Sequence, residues 1–330
     1  MNQKINNIML QAIEVAKENI GLTGPNPSVC AIATDENFNI IEIANTANHG
    51  RPHAESILIN KLIKSDKNYE GKMYLFTTLE PCSHYGQTPP CVDLIIKSKL
   101  FTKVFISFTD PDFRVNGRGI KELKQNNIEV MTDILREMSH GLLYKEYSFA
   151  RINKMPFVTL KIAMSIDGKI ATKTNQSKWL SSKQTKEYTD SIRYKYDGIL
   201  VGKNTFLNDN PSLESKNPKT KSFDPKKFVI TSDASFASNF KESININKNY
   251  ESNNNNSNFI SIYNNNSIKD VMSILYNSYN INHLLIEGGC ITATNFLKNN
   301  CVHRLCIVKT TIIIGGEGIS AISNLDFKNL

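Results

Sequence analysis

In the stretch GRPHAESILIN, His53 and Glu55 stand two apart, and in LEPCSHYGQTPPC, Cys82 and Cys91 each follow a proline. One imidazole and two thiols are donors that zinc prefers, and three such ligands leave a fourth position for water, the ligand count of a catalytic site. Glu55 is not needed as a ligand. It is free to move a proton from a metal-activated water to a leaving amine, which is the chemistry of hydrolytic deamination. Zinc lowers the pKa of its water to about 7, so such a site works at neutral pH. A lone His53 would be read as a surface or capping histidine. The joint pattern of His-x-Glu with two Pro-Cys pairs, at predicted helix starts, argues for a metal site.

The elements that must position these residues alternate. The first 150 residues read as helix 6–19, strands 28–34 and 39–45, helix 53–64, strand 73–78, helix 91–98, strand 103–107, helix 117–126 and helix 133–148. Such alternation predicts a mostly parallel sheet covered by helices. Around 146–155 the chain restarts at Pro156 with a new apolar strand, which sets the domain boundary. Beyond it come strand 156–164, helix 183–196, strands 198–202, 227–231 and 258–262, helix 267–278, strand 283–287, helix 290–298 and strand 304–309, a second α/β domain. The Asn-rich INKNYESNNNNSNF between two of these strands has too little apolar surface to offset its ordering entropy, and is expected to be a mobile surface loop.

Composition narrows the class. The chain has 330 residues, 40% hydrophobic and 21% charged, which suits two soluble globular domains. Its net charge of +8 is scattered rather than massed in an arm or stripe, which argues against nucleic acid as the partner. No run approaches the roughly 18 apolar residues of a membrane span, and MNQKINNIMLQAIEVAKENI reads as an amphipathic helix rather than a signal peptide. A cytoplasmic location is expected. Six scattered cysteines then favour metal binding or plain burial over a disulfide scaffold.

With these residues in place, HAE and LEPCSHYGQTPPC together resemble the deaminase domain of the bifunctional riboflavin-biosynthesis deaminase/reductase family. Nucleic-acid deaminases share the zinc logic but usually carry Pro-Cys-x-x-Cys. The eight residues between Cys82 and Cys91 insert a loop over the mouth of the site, where it can touch the ribose phosphate of a small nucleotide. GPNPSV and DPDFRVNGRG extend the likeness. The resemblance implies that His53, Cys82 and Cys91 hold Zn²⁺, that Glu55 is the proton shuttle, and that Asn26 and His84 contact substrate.

In the second half KIAMSIDGKIA, SKWLS, DGILVGKNTFLNDNPSL and LLIEGG resemble, in order, the NADPH-dependent reductase domain of the same family. The Gly pair after an apolar strand could offer backbone N–H groups to a phosphate, a weak signal alone. The implied fold is a cytidine-deaminase-like three-layer domain at 1–146 followed by a dihydrofolate-reductase-like α/β domain at 147–330. Ala163, Trp179, Thr205, Asp209 and Gly289 would touch NADPH. Ser177, Arg193, Leu213, Lys216 and Glu287 would face the substrate, with Arg193 and Lys216 suited to a ribose 5-phosphate. A homo-oligomer acting on a small-molecule nucleotide, without nucleic acid or membrane, is the implied assembly.

The chain departs from the family pattern at several positions. Gln87 stands where the loop usually has Lys or Arg, Lys216 where Arg is usual, Asn210 where a second Asp is usual, and Cys30-Ala31 where Gly-Cys is usual. The segment IANTAN replaces a Gly-rich strand with a His. Further strands usually follow the Gly-Gly matched by Gly315-Gly316, so an incomplete reductase sheet is expected. Three rivals follow: an active deaminase with a non-functional reductase, a nucleic-acid deaminase with steep salt dependence, and a decayed zinc- or nucleotide-binding protein.

Overall fold

The computed structural model describes residues 2–65, 69, 73–86, 89–177, 180, 182–216, 220, 223–240, 242–245, 259–264 and 267–326. Gln87, Trp179 and residues 246–258 of the Asn-rich stretch lie outside the described residues. The chain divides into two compact units, Met1–Asn153 and Lys154–Leu330.

The first unit opens with helix α1 (Asn2–Glu18), which buries Ile5, Ile8, Met9, Ala12, Ile13 and Ala16. Their three- and four-residue spacing makes one apolar stripe. Strands β1 (Cys30–Asp35) and β2 (Ile40–Asn45) form a hairpin, and the Asp35 carboxylate accepts the backbone N–H groups of Asn37 and Asn39 in its turn. Strand β3 (Met73–Leu79) lies antiparallel on the other side of β1, while β4 (Phe101–Phe108) and β5 (Glu129–Met131) continue parallel, giving the order β2-β1-β3-β4-β5. The expected mostly parallel sheet is thus mixed here. A short turn can join only an antiparallel pair, and β1 is antiparallel to both neighbours. Helices α2 (Ala54–Lys64), α3 (Cys91–Ser98) and α4 (Arg118–Gln125) follow. The helix expected at 133–148 is α5 (Arg136–Ser139), a π turn at His140–Tyr144 and α6 (Lys145–Asn153). The core is apolar and aromatic, with Phe76 and Phe105 stacked at 4.3 Å between centroids.

The second unit is a parallel sheet. In chain order its elements are β6 (Phe157–Met164), β7 (Lys169–Ala171), α7 (Lys183–Ile192), β8 (Gly198–Gly202), α8 (Lys203–Asp209), β9 (Lys226–Thr231), α9 (Ala234–Ala237), β10 (Glu242–Asn245), β11 (Ile260–Tyr263), α10 (Ile268–Asn277), β12 (His283–Glu287), α11 (Cys290–Lys298), β13 (Arg304–Lys309) and β14 (Ile319–Ser320). Seven strands run in the order β10-β11-β9-β8-β12-β6-β13, every pair parallel, while β7 and β14 pair separately and antiparallel. Strand β8 is buried along its whole length, as a strand covered on both faces must be. Strand β6 sits between β12 and β13, so Leu160 is paired with Ile286 on one side and Leu305 on the other. Leu305 and Ile307 of the edge strand β13 are each 47% exposed.

Candidate functional site

Two helix starts meet in the first unit. His53 caps α2 in an extended conformation, and Cys91 is the first residue of α3 behind Pro90. Cys82 lies three residues beyond the end of β3 and is held against α3: its carbonyl accepts the Val92 N–H at 3.2 Å, and its sulfur accepts the Cys91 N–H at 3.3 Å. The Nδ1 of His53 lies 3.6 Å from the Cys82 sulfur and 3.3 Å from the Cys91 sulfur. A tetrahedral zinc with Zn–N of about 2.0–2.1 Å and Zn–S of about 2.3 Å would place nitrogen and sulfur roughly 3.5 Å apart. The donor atoms therefore fit that ion in both type and spacing, and all lie within 4.8 Å of one another.

The charges in this cluster are mutually adjusted. Hydrogen bonds from the Cys91 thiol, His53 and the Cys91 N–H outweigh burial and bring the Cys82 thiol down to about 4. The same hydrogen bond, together with burial, raises Cys91. The helix start adds a favourable potential for thiolate. His53 is raised, chiefly through Cys82. Glu55, in the first turn of α2 and 4% exposed, has its carboxyl raised by burial, with His53 opposing. A buried acid that readily keeps a proton, beside the metal-binding side chains, is suited to proton transfer. Cys30, by contrast, is a core thiol on β1 pushed up to about 12 by burial and by Glu55.

The surrounding loops are tied by groups that the sequence reading passed over. Buried Glu80, two residues before Cys82, accepts the backbone N–H groups of Asp110 at 3.3 Å, Gly117 at 3.0 Å and Ile120 at 3.4 Å. This explains DPDFRVNGRG, whose turn is hung on one carboxylate. Gly119 is required there, since a Cβ would meet the Pro81 carbonyl oxygen at 2.6 Å. The Tyr144 hydroxyl donates to Thr78 Oγ1 at 2.7 Å, which also accepts the Cys30 N–H, fixing β3 to β1 near the site. Asn26 rests against Gly50, donating to its carbonyl at 3.5 Å; Gly50 has φ +85° and no room for a Cβ beside Asn26. His84 lies in the loop between the cysteines, its Nδ1 buried and without a hydrogen-bond partner.

In the second unit a cavity of about 730 Å³ opens at the carboxyl ends of β6, β8, β9 and β12, the place where parallel α/β sheets hold ligands. Among the sequence-predicted residues, Ala163, Ser177, Arg193, Thr205, Asp209, Leu213, Glu287 and Gly289 line it. Trp179 lies outside the described residues. Thr205 Oγ1 accepts the Gly289 N–H at 3.1 Å, so one NADPH candidate already holds the glycine turn of another. Asn210 closes α8 in the left-handed conformation that Asn tolerates better than most residues.

The cations of this pocket are paired. Arg193 forks onto Glu287 at 2.8 and 3.2 Å and reaches Asp190 at 2.7 Å. Burial works against its charge, but Glu287 and Asp190 together hold the guanidinium firmly protonated. Lys216 is not on the cavity wall; its exposed side chain binds Asp190 at 2.5 Å. Lys161, 3.8 Å from Glu287, and Lys203, bound to Asp233, line the cavity and were missed in sequence. Lys161 and Ala163 alternate along β6, so the period of that strand could have placed Lys161 beside a residue already singled out.

Comparison with known proteins now bears on both units. Residues 156–330 match the family described as the RibD C-terminal domain, and residues 2–108 match the cytidine and deoxycytidylate deaminase zinc-binding region. The Riboflavin biosynthesis protein RibD of Aquifex aeolicus is 32% identical over 324 residues, covering 95% of this chain and 88% of that protein. That of Bacillus amyloliquefaciens is 41% identical over 210 residues, covering 64% of this chain and 55% of its own length. The structure of a diaminohydroxyphosphoribosylaminopyrimidine deaminase/5-amino-6-(5-phosphoribosylamino)uracil reductase from Thermotoga maritima superposes with a TM-score of 0.82 at 29% identity, covering 97% of this chain and 90% of that one. An Acinetobacter baumannii RibD structure shares the fold, with a TM-score of 0.84 at 24% identity. Cytidine-deaminase-like and dihydrofolate-reductase-like domains, in that order, are the fold class of this chain.

Proposed function

The chain belongs to the RibD family, and from that premise we propose that it is a bifunctional enzyme of riboflavin biosynthesis. It deaminates diaminohydroxyphosphoribosylaminopyrimidine in its first unit and reduces 5-amino-6-(5-phosphoribosylamino)uracil to the ribityl compound in its second. The observation that carries this reading is the convergence of His53, Cys82 and Cys91 within 4.8 Å, with buried Glu55 two residues from His53.

His53, Cys82 and Cys91 would hold zinc, which when bound would supply a Lewis acid that makes water nucleophilic at neutral pH. Glu55 would move a proton from the attacking water to the departing amine, and burial raises its carboxyl so that it readily keeps a proton. Asn26 orients the base, and His84 reaches the sugar-phosphate side from the loop between the cysteines. Glu80 ties the Cys82 segment to the 110–119 turn.

NADPH, when bound in the second unit, would supply the hydride for the opened ribose. The protein positions the two partners. Thr205 and Gly289 shape the cofactor side of the cavity, with Ala163 and Asp209, and Trp179 is assigned to the same cofactor from its SKWLS motif. Ser177, Arg193, Leu213 and Glu287 form the substrate side, and Lys216 acts from outside the wall through Asp190, the partner of Arg193. Lys161, Arg193 and Lys203 bring cationic hydrogen-bond donors to the cavity wall, each paired with an acid, and such donors suit a phosphorylated ligand. The enzyme acts in the cytoplasm; among the described residues no helix is long and apolar enough to cross a membrane. It works as a homo-oligomer, a reading supported by the apolar side chains exposed on β13.

Incubation of the purified chain with the diaminopyrimidine nucleotide, with and without NADPH, tests both halves by product mass. An amine exchanged for oxygen without NADPH, then two added hydrogens with it, is the expected pair of results. Deamination without reduction would restrict the function to the first unit. No change in mass under either condition, with zinc bound, would refute both activities.

A further inference from the structure

The loop from Cys82 to Cys91 contains no lysine or arginine, yet the proposed substrate presents a phosphate to this side of the site. A guanidinium reaches the loop from another segment. Arg51 and His53 both have extended backbones, at φ −148°, ψ 142° and φ −69°, ψ 156°, and they flank Pro52. Arg51 thus stands two residues before the metal-binding imidazole in sequence. A Cβ built on Gly86 would lie 3.7 Å from Arg51 Nη2 and 4.0 Å from His84 Nε2. The loop thus passes both groups at its one residue without a side chain. Ser83 Oγ and His84 Nδ1, in the same loop, are buried with no hydrogen-bond partner. A permanent cation and an imidazole therefore both reach the loop at Gly86.

We propose that Arg51 binds the phosphate monoester of the deaminase substrate, supplying from the segment before His53 the positive charge that the loop itself lacks. This rests on the deaminase reading above. The guanidinium, whose Nη2 lies beside Gly86, carries paired donors that match two phosphate oxygens. Since the phosphate is remote from the reacting carbon, the contact adds binding equally to ground and transition states.

The test is steady-state deamination by the zinc-loaded full chain, using the 5′-phosphate nucleotide and its dephosphorylated nucleoside. Arg51→Gln is expected to raise KM for the nucleotide roughly ten- to hundredfold, the loss of a charge-assisted hydrogen-bonded pair. Bound zinc, kcat and the KM for the nucleoside should stay near wild type. An equal rise in KM for both compounds, or none for the nucleotide, would overturn the proposal. Should Arg51→Gln fail to fold, Arg51→Lys serves instead: a smaller, nucleotide-only rise supports the forked contact, and no rise overturns it. If the wild-type chain turns over neither compound, the deaminase reading fails separately. Calorimetric binding of the nucleotide to wild type and variant then decides: weaker binding by the variant upholds the role of Arg51, and equal binding removes it.

Discussion

The two units solve the same problem, holding a charged nucleotide next to a reactive group, in opposite ways. The first gathers its chemistry locally: His53 and Cys91 sit at the starts of α2 and α3, and Cys82 is clipped to α3 by two hydrogen bonds. The second distributes it over the ends of four parallel strands, so that Lys161, Arg193 and Glu287 meet although they are far apart in sequence. In the first unit the donors are poised for an ion. In the second the charges already satisfy one another, and the cavity depends on keeping that balance. A site of the first kind should lose activity while keeping its fold; a site of the second kind should lose stability along with activity.

The sharpest break of this contrast is Cys91→Ser. It should release zinc and abolish deamination, read by metal content and turnover, while the reduction of separately supplied deaminated nucleotide continues. Next is Glu55→Gln, expected to lower deamination by roughly a hundredfold to ten-thousandfold with zinc still bound. Retained deamination in a clean preparation would remove Glu55 from its role. Glu287→Gln probes the other unit. Leaving Arg193 partly uncompensated in a buried site should cost the second unit roughly 3 kcal/mol or more, measured in urea, and should impair reduction, while deamination persists. If its stability were unchanged, the charge cluster would not be what holds the cavity.

The smallest expected effect concerns pH. Asp112 is buried, which opposes its charge, but the Arg114 fork at 2.9 and 2.6 Å brings its carboxyl down to about 2 from 3.8. A lowered acid contributes stability that is fully present above its unfolded pKa and is lost as pH falls through the folded value. Asp112→Asn should therefore cost about 2 kcal/mol at pH 7. That difference should hold down to about pH 4 and shrink between there and pH 2, as read from denaturant midpoints. A difference that grew on acidification would contradict the sign.

What could be read from sequence followed the same division. The zinc site was legible because its residue types are rare, close in sequence and set at helix starts: His53, Cys82 and Cys91 converge as their spacing implied. Glu80 was passed over because a carboxylate that holds backbone N–H groups resembles any other glutamate until the chain folds. In the second unit, the unbroken apolar runs of β8 and β12 announced themselves. β7, α8, α9, β10 and β14 did not, since they lack such a run and are too short to show a period. Lys216 shows the limit of motif order: it aligned with a substrate contact, yet its ammonium faces Asp190 and lies off the cavity wall. The mixed sheet of the first unit escaped for a related reason, because alternation of elements does not fix strand direction.

The place of β6 has a consequence for how the chain becomes a protein. Its two neighbours, β12 and β13, begin at His283 and Arg304, more than a hundred residues after Phe157. During synthesis the first unit can finish packing while β6 still presents two open, apolar edges and waits for partners not yet made. The slow, aggregation-exposed stage in the life of this chain is therefore the interval before β12 and β13 leave the ribosome, and destabilising changes in β6 should show themselves as low yield before they show themselves as low activity.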